Sequence, residues 1–436
     1  MARDGRSIMF RIRSLSNLVA IGVVVGCGLS APSGSVAWEV PRVERETAYE
    51  ELELFAESLL AIRKHYVDEK EYKALIYGAL SGMLKSLDPH CSFLEPEEFQ
   101  DMQEETSGRY SGIGIHIGIR DDWLTVIAPI EDTPAYQAGL ISGDRIVAID
   151  GEKTAGIPLK DAIQKLRGMP GTQVKVSIRR LDVDQPLEFE ITRKDIEVSS
   201  VKGATLLRDQ IGYVRITQFS EPTAQALQHT LQGMVTNGLQ GLVLDLRGNP
   251  GGLLVSAINV AEQFLPRNEV VVSTRGRGHL QGNVVNRSGG TFHLTGIPMA
   301  ILINGGSASA SEIVAGALQD HRRAVLVGET TFGKGSVQTV LRLSADREAA
   351  LRLTTALYYT PGGRQIHNKG IEPDIPVYVA PTEWRRILTR RLHIENPSLY
   401  TDKDRAGYED VVDRPLERAL DLVQALVLYQ SADARR

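Results

Sequence analysis

The sequence predicts an α/β protein. Three patterns carry the prediction: strands and helices alternate over 197–380, a β-rich stretch fills 106–196, and helical periodicity flanks both at 38–105 and 381–436. A chain of 436 residues has room for two or three domains, each with its own core. Hydrophobic content of 42% and charged content of 24% are those of a globular protein. A net charge of −5, with no basic run in the body, gives no support for a nucleic-acid partner.

The N-terminus reads as an export segment. Arg3, Arg6, Arg11 and Arg13 precede an apolar run, Leu18 to Leu29, and the small residues of 31–37 follow. Basic start, short apolar core and small-residue exit describe a secretory signal over 1–37, cut after Ala37. The run is short for a membrane span, which takes about 20 apolar residues. Val24-Val25-Gly26-Cys27 adds a second reading, acylation at Cys27 and a membrane tether, and an uncleaved anchor is a third. Only Cys91 remains beyond Cys27, so the mature body holds no internal disulfide, and Cys91 reads as a small buried hydrophobe.

Leu52, Leu54, Phe55, Leu59, Leu60 and Ile62 recur near helical spacing, as do Leu75, Ile76, Ala79, Leu80, Met83 and Leu84. Asp88-Pro89 breaks the second helix, and Pro96 starts a third. In the β-rich stretch, Ile115, Ile117 and Ile119 alternate, Asp150-Gly151 closes a strand, and Leu159 to Leu166 is helical. Val174, Val176 and Ile178 form a further strand. The α/β region then runs strand Ile211–Ile216, helix 222–235, strand Gly241–Leu246, helix 253–264, strand Met299–Ile303, helix 309–319 and strand Ala324–Val327. Val337–Leu343 and Leu351–Tyr359 predict an antiparallel extension. A charged tail with an amphipathic helix near Leu416 to Leu428 closes the chain.

The chemistry lies at the strand-to-helix junctions. Ala300-Ile301-Leu302-Ile303 is an unbroken apolar run, Gly305-Gly306 permits a tight turn, and Ser309 falls at the start of the next helix. Helix N-termini present unpaired N–H groups and the positive end of the dipole, which suits a developing oxyanion. A serine there is most simply a helix cap, so Ser309 alone decides nothing. Lys334, 25 positions on in Phe332-Gly333-Lys334-Gly335, shifts the balance. Between two glycines, backbone approaches closely, and a buried lysine loses its proton readily enough to serve as a general base. Gln338 follows four residues later and falls on the same face if a strand already runs through Lys334. Leu244-Asp245-Leu246-Arg247-Gly248-Asn249-Pro250-Gly251-Gly252 is the third piece, a strand ending in a glycine-rich turn. Its Gly251 or Gly252 N–H, with that of Ala310, is the expected oxyanion hole.

Gly328 to Lys334 fits the start of a phosphate-binding loop, but Gly335 stands where Ser or Thr must hold magnesium, and a strand pattern follows. Nucleotide binding is rejected on those grounds. No clustered Cys/His set exists, so neither a metal nor another cofactor is expected.

Taken together, Ser307-Ala308-Ser309-Ala310-Ser311-Glu312-Ile313 and Phe332-Gly333-Lys334-Gly335-Ser336-Val337-Gln338 resemble the C-terminal processing peptidases, serine endopeptidases with a Ser–Lys dyad. The resemblance covers nearly everything after the signal. It implies a crotonase/ClpP-like α/β catalytic domain (197–380) with an inserted PDZ domain (106–196) and flanking helices. It also implies Ser309 as nucleophile, Lys334 as general base and Gln338 as its positioning partner, while Asp320 matches an acidic position of relatives. Gly112-Ile113-Gly114-Ile115 resembles the loop whose amides hold a peptide's terminal carboxylate while the peptide adds to a sheet edge. Arg167 matches a position linking that module to the cleft, and is equally readable as a surface charge. The expected partners are proteins with exposed C-terminal tails, and the resemblance allows a homodimer through the flanking helices. The expected location is periplasmic or extracytoplasmic. Two rivals stand beside this reading: a PDZ-based scaffold with an inactive protease-like body, and a crotonase-like acyl-transfer enzyme.

Overall fold

The computed structural model describes residues 42–433, except 121, 131, 142, 182, 184, 209, 278–282, 345, 347, 396–399 and 401. The expected export segment and Cys27 therefore lie outside the described residues. The chain forms two compact units.

One unit takes the helical region up to Met102 together with Thr274–Asn283 and Ser336–Leu357. Helices Arg42–His65 and Tyr72–Lys85 open it. Between the break at Asp88-Pro89 and the helix that starts at Pro96, Ser92–Leu94 adds a strand that the helical periodicity does not name, paired antiparallel with the Ala350–Tyr359 strand. Asp88 explains the break: its Oδ1 accepts the N–H groups of His90 (2.7 Å) and Cys91 (2.8 Å), turning the chain out of the helix. Leu84, Cys91, Phe93 and Ala349 then bury a small core. The Cys91 thiol accepts the Thr354 N–H at 3.3 Å, so it is a packed, buried group. Ser336–Arg342 and Ala350–Tyr359 pair antiparallel, as their alternation predicts, with a register shift between Val337 and Gln338.

The other unit holds the β-rich module and the α/β layers. In the module, strands Ile115–Arg120, Trp123–Pro129, Arg145–Ile149, Gln173–Arg179 and Leu187–Thr192 pair in that order, all antiparallel. Ile115–Arg120 stands at one end of the order. Alternate residues such as Leu124, Val126, Ile146, Val176 and Ile178 fill the core beneath the helix Leu159–Leu166. A two-stranded ribbon, Arg109–Gly112 with Lys194–Glu197, joins the module's two ends.

The α/β layer is a six-stranded sheet ordered Val201–Leu207, Ile211–Ile216, Gly241–Asp245, Met299–Ile303, Val325–Gly328, Ile375–Pro376. Its first pair is antiparallel and the rest are parallel. Every residue of Gly241–Asp245 and Met299–Ile303 is buried, which is why those segments are apolar without alternation. Helices Thr223–Thr236, Leu254–Ala261 and Ala310–Asp320 lie along the chain between these strands. The C-terminal helix Arg414–Asp433 lays Ala419, Leu420 and Val423 against Val243, Ala300 and Leu302 of the sheet. A second tail helix, Pro381–Glu395, carries Glu395 to an ion pair with Arg215.

Candidate active site

Two parallel strands end side by side, Gly241–Asp245 and Met299–Ile303, and each feeds a tight loop and then a helix. This is where open α/β sheets place their chemistry. The two loops are stitched together. Asn249 carbonyl accepts the Ala308 N–H (3.0 Å) and the Ser311 hydroxyl (2.9 Å). Asn304 Oδ1 accepts the Gly248 N–H at 2.9 Å, and Ser307 donates to the Leu246 carbonyl at 2.8 Å. Gly251 packs against the turn itself: a Cβ there would sit 2.7 Å from the Ala308 oxygen and 2.8 Å from Ser309 Cβ.

Ser309 is the last residue before the helix Ala310–Asp320 and only 8% exposed. Its φ of 55° and ψ of −110° are strained for a non-glycine residue, a cost tolerated where surroundings over-determine the backbone. The surrounding determinant is Glu312, fully buried one turn into the helix. Its Oε2 accepts the Ser309 N–H at 2.8 Å and the Lys334 N–H at 2.9 Å. The two backbone nitrogens therefore lie within two hydrogen-bond lengths of each other. Oε1 accepts the Thr331 hydroxyl at 2.6 Å and the Gly333 N–H at 2.7 Å. Burial raises the Glu312 carboxyl above its ordinary value, and these donors work against that rise.

Lys334 is half-buried, in the loop before the strand Ser336–Arg342. That loop is pinned on its other side by 366–371: Gly333 carbonyl accepts the Asn368 N–H (2.8 Å), and Thr331 Oγ1 accepts the Ile371 N–H (2.7 Å). A Cβ on Gly335 would sit 2.2 Å from the His367 nitrogen, which is why glycine follows the lysine. Because the strand starts only at Ser336 and shifts register before Gln338, strand alternation does not place Gln338 on the face of Lys334. In the first unit the Gln338 amide donates to Ser336 Oγ at 2.9 Å.

The expected oxyanion donors differ among themselves. Gly251 N–H donates to Asn249 Oδ1 at 2.9 Å and is engaged in this structure. Gly252 is bridged to Phe219 through its neighbours, the Gly251 carbonyl and the Leu253 N–H, which leaves its own N–H out of the bridge. Ala310 N–H, in the first helical turn, has no intrahelical acceptor.

Behind the Gly248–Gly252 loop lies a buried charge network absent from the sequence reading. Arg247 donates to both oxygens of Asp245 (3.0 and 2.7 Å) and to both of Asp413 (2.7 and 2.8 Å). Arg391 adds a bond to Asp245 at 3.1 Å, and the Arg247 guanidinium lies 5.2 Å from the Trp384 ring centroid. Burial alone would raise the Asp245 carboxyl; Arg247, then Arg391, outweigh it and hold the group well below the usual carboxylate range. Asp320 accepts the Gly362 N–H at 2.7 Å and pairs with Arg364.

In the β-rich module, the Ile113 carbonyl accepts the Ala135 N–H at 2.8 Å and the Gly114 carbonyl accepts the Thr133 hydroxyl at 3.0 Å. Gly114 has φ +80°, and a Cβ there would overlap Thr133 at 2.3 Å. Gly112 ends the ribbon strand and Ile115 opens the end strand. Arg167 pairs with Glu104 at 2.9 Å, its guanidinium 5.3 Å from the Tyr110 centroid. No group of His, Cys, Asp and Glu able to hold a metal occurs among the described residues.

Comparison with known proteins gives the family. Residues 210–377 match the model of peptidase family S41, and residues 125–180 match a PDZ domain. A carboxy-terminal-processing protease of Bartonella bacilliformis is 45% identical over 359 residues, 81% of this chain and 81% of its own. A carboxyl-terminal-processing protease of Synechocystis is 40% identical, covering 68% of this chain and 70% of its own. The Bacillus subtilis carboxy-terminal processing protease CtpB is 33% identical, covering 77% and 68%.

Proposed function

The chain belongs to the carboxy-terminal processing proteases of peptidase family S41, and from that premise we propose that Ser309 is its nucleophile and Lys334 the base that activates it. Membership makes it a serine-type peptidase carrying a PDZ domain. The observation that carries the residue assignment is the shared Glu312 oxygen, which brings the Ser309 and Lys334 backbones together.

The neutral Lys334 amine takes the Ser309 hydroxyl proton as Oγ attacks the scissile carbonyl. The tetrahedral oxyanion is held by the Gly252 and Ala310 N–H groups, with Gly251 joining if its N–H swings from Asn249. Each such donor is worth about 2.7–4 kcal/mol of barrier. The ammonium returns its proton to the leaving amine, and the same amine then activates the water that hydrolyses the acyl-enzyme. Gln338 orients the amine during the cycle.

Substrates are proteins with free C-terminal tails. The tail adds to the edge strand Ile115–Arg120, and the Gly112–Ile115 loop receives its carboxylate. Tethering there raises the local concentration of upstream peptide at Ser309. Residues 1–37 direct export to the periplasm, on the strength of their basic start, short apolar run and small-residue exit. Mass measurement of the mature N-terminus separates cleavage after Ala37 from acylation at Cys27.

The deciding experiment incubates the protein with an unfolded substrate such as β-casein. Degradation abolished in both Ser309→Ala and Lys334→Ala supports the dyad. Peptide binding without cleavage by the wild type would instead return the inert-scaffold reading.

A further inference from the structure

Phe332 is the exception in the loop that carries it. Its neighbours Thr331 and Gly333 are buried, yet Phe332 is 64% exposed. The exposure does not come from a loose backbone. The Thr331 N–H donates to the Ile371 carbonyl at 3.1 Å, the Phe332 N–H to the Ser307 carbonyl at 3.0 Å and the Gly333 N–H to Glu312 at 2.7 Å. Three successive amides are tied to three different segments. The bond to Ser307 also sets where the residue stands, beside the turn that carries Ser309 and two positions before Lys334.

The surface next to that turn is largely backbone. Gly305, Gly306 and Gly248 are exposed. A Cβ on Gly306 would sit 2.9 Å from Gly248 Cα, and one on Gly305 would lie 4.0 Å from the Thr330 carbonyl oxygen. Such a floor admits an extended peptide and reads none of its side chains. A rigidly held aromatic beside it has the opposite character, since aromatic anchors in fixed positions carry much of the energy of a binding surface. A single apolar residue on an ordinary surface needs no explanation. One held out by a pinned loop beside the nucleophile calls for one.

We propose that Phe332 is a specificity-determining residue for cleavage, its ring packing against an apolar side chain next to the scissile bond. The inference rests on the Ser309–Lys334 reading and adds a preference to it: unfolded segments with an aliphatic or aromatic residue at the bond are cut before polar ones. This selection is separate from capture of the C-terminal tail by the Gly112–Ile115 loop. The ring takes no part in proton transfer, so removing it lowers kcat/KM according to what the substrate places against it.

The test uses the full-length chain, Phe332→Ala and Phe332→Leu. Mass spectrometry maps the bonds that the wild type cuts in β-casein. A synthetic peptide spanning the strongest of them is compared with versions in which each residue flanking the bond is replaced in turn by Ser. The wild type is expected to lose about tenfold in kcat/KM when the apolar flanking residue becomes Ser, the order for losing much of an apolar contact. Phe332→Ala loses about tenfold on the parent peptide and separates the two peptides by less than about twofold. Phe332→Leu keeps part of the contact and separates them by about threefold. Labelling of Ser309 by a fluorophosphonate, which carries no flanking residue, falls less than cleavage does.

Discrimination by Phe332→Ala equal to that of the wild type, beside an inactive Ser309→Ala, overturns the inference and leaves the dyad standing. A wild type indifferent to every flanking replacement overturns it too. So does a fall in labelling as large as the fall in cleavage, because the ring is then a prop for the loop. An unchanged cleavage map with an altered elution volume in size-exclusion chromatography assigns the ring to an interface between copies, and also overturns it. If Phe332→Ala does not melt cooperatively, Phe332→Leu decides: reduced discrimination supports the inference and wild-type discrimination refutes it. Cleavage by Ser309→Ala overturns the dyad first and this inference with it.

Discussion

Replacing Asp413 by Ala tests whether the C-terminal tail holds the glycine-rich loop. Asp413 sits immediately before the helix Arg414–Asp433 and does two things at once. It accepts two bonds from Arg247, whose side chain is 1% exposed, and its Oδ1 accepts the Leu416 N–H at 3.2 Å. Removing one partner of a buried ion pair costs about 3–5 kcal/mol, because the other charge stays buried. Arg247 keeps both oxygens of Asp245, so the lower end, about 3 kcal/mol, applies here. The lost cap adds about 1 kcal/mol. Two cations, Arg247 and Arg391, would then share one buried carboxylate. Urea unfolding followed by tryptophan fluorescence reads the change, since Trp384 stacks over both Arg247 and Arg391. A midpoint shift equivalent to about 4 kcal/mol with unchanged slope is the expected outcome. A loss below about 1 kcal/mol refutes the reasoning, because the pair would then be behaving as a solvated surface bridge. Asp413→Asn separates the two contributions: it keeps an oxygen for Leu416 and loses only the charge.

Three further outcomes follow from the same geometry. Gly251→Ala puts a methyl 2.7 Å from the Ala308 oxygen at φ +105°, where only backbone can yield, and should lower kcat on β-casein by roughly 100-fold. Gly114→Ala, with φ +80° and a 2.3 Å overlap on Thr133, should weaken binding of a peptide with a free apolar C-terminus about tenfold or more by calorimetry, and leave labelling of Ser309 unchanged. The Asp245 carboxyl is depressed when folded, so its stabilisation is fully present above its ordinary value of 3.8 and is lost as pH falls through and below that value. Urea midpoints should therefore drop between about pH 5 and pH 3, and the slope should flatten in Asp245→Asn. Glu312 acts with opposite sign: its raised carboxyl favours the folded state at low pH, and that contribution disappears as pH rises through its folded value.

What was legible in the sequence is what the chain encodes locally. Met299–Ile303 is apolar at every position because both of its faces are covered, and that pattern needs no partner to be recognised. Ser309 falls at a helix start because two glycines and a change of hydrophobic period mark the junction. Ser309-Ala310-Ser311-Glu312 even carries the S-x-x-E signature of a capping box, so the cap was readable. The other three donors on Glu312 were not, because Thr331, Gly333 and Lys334 reach it through the tertiary fold. The same holds for Arg247, whose second carboxylate lies 166 positions away in a tail that reads only as charged with an amphipathic helix. Charge near a chain end looks like surface until its partner is known, since burial of an ion is decided by what meets it. For Gln338 it is the spacing argument that the fold removes, not the role. The alternation rule assumes an unbroken strand, and here the strand begins after Lys334 and slips at Val337 and Gln338.

These two blind spots have one physical origin and one consequence for the enzyme. Both concern buried charges that join segments distant in sequence: Glu312 joins the Ser309 turn to the Lys334 loop, and Arg247 joins the Gly248–Gly252 loop to the tail. Apolar packing of the sheet would position these loops only to within the slack that side-chain repacking allows. Hydrogen bonds of 2.6–2.9 Å to a single carboxylate leave much less slack, at the expense of desolvating an ion. Stability alone would favour apolar replacements at both places. Their presence in this fold points to a demand of geometry, and an apolar substitution that raised the melting temperature while slowing kcat would be its signature.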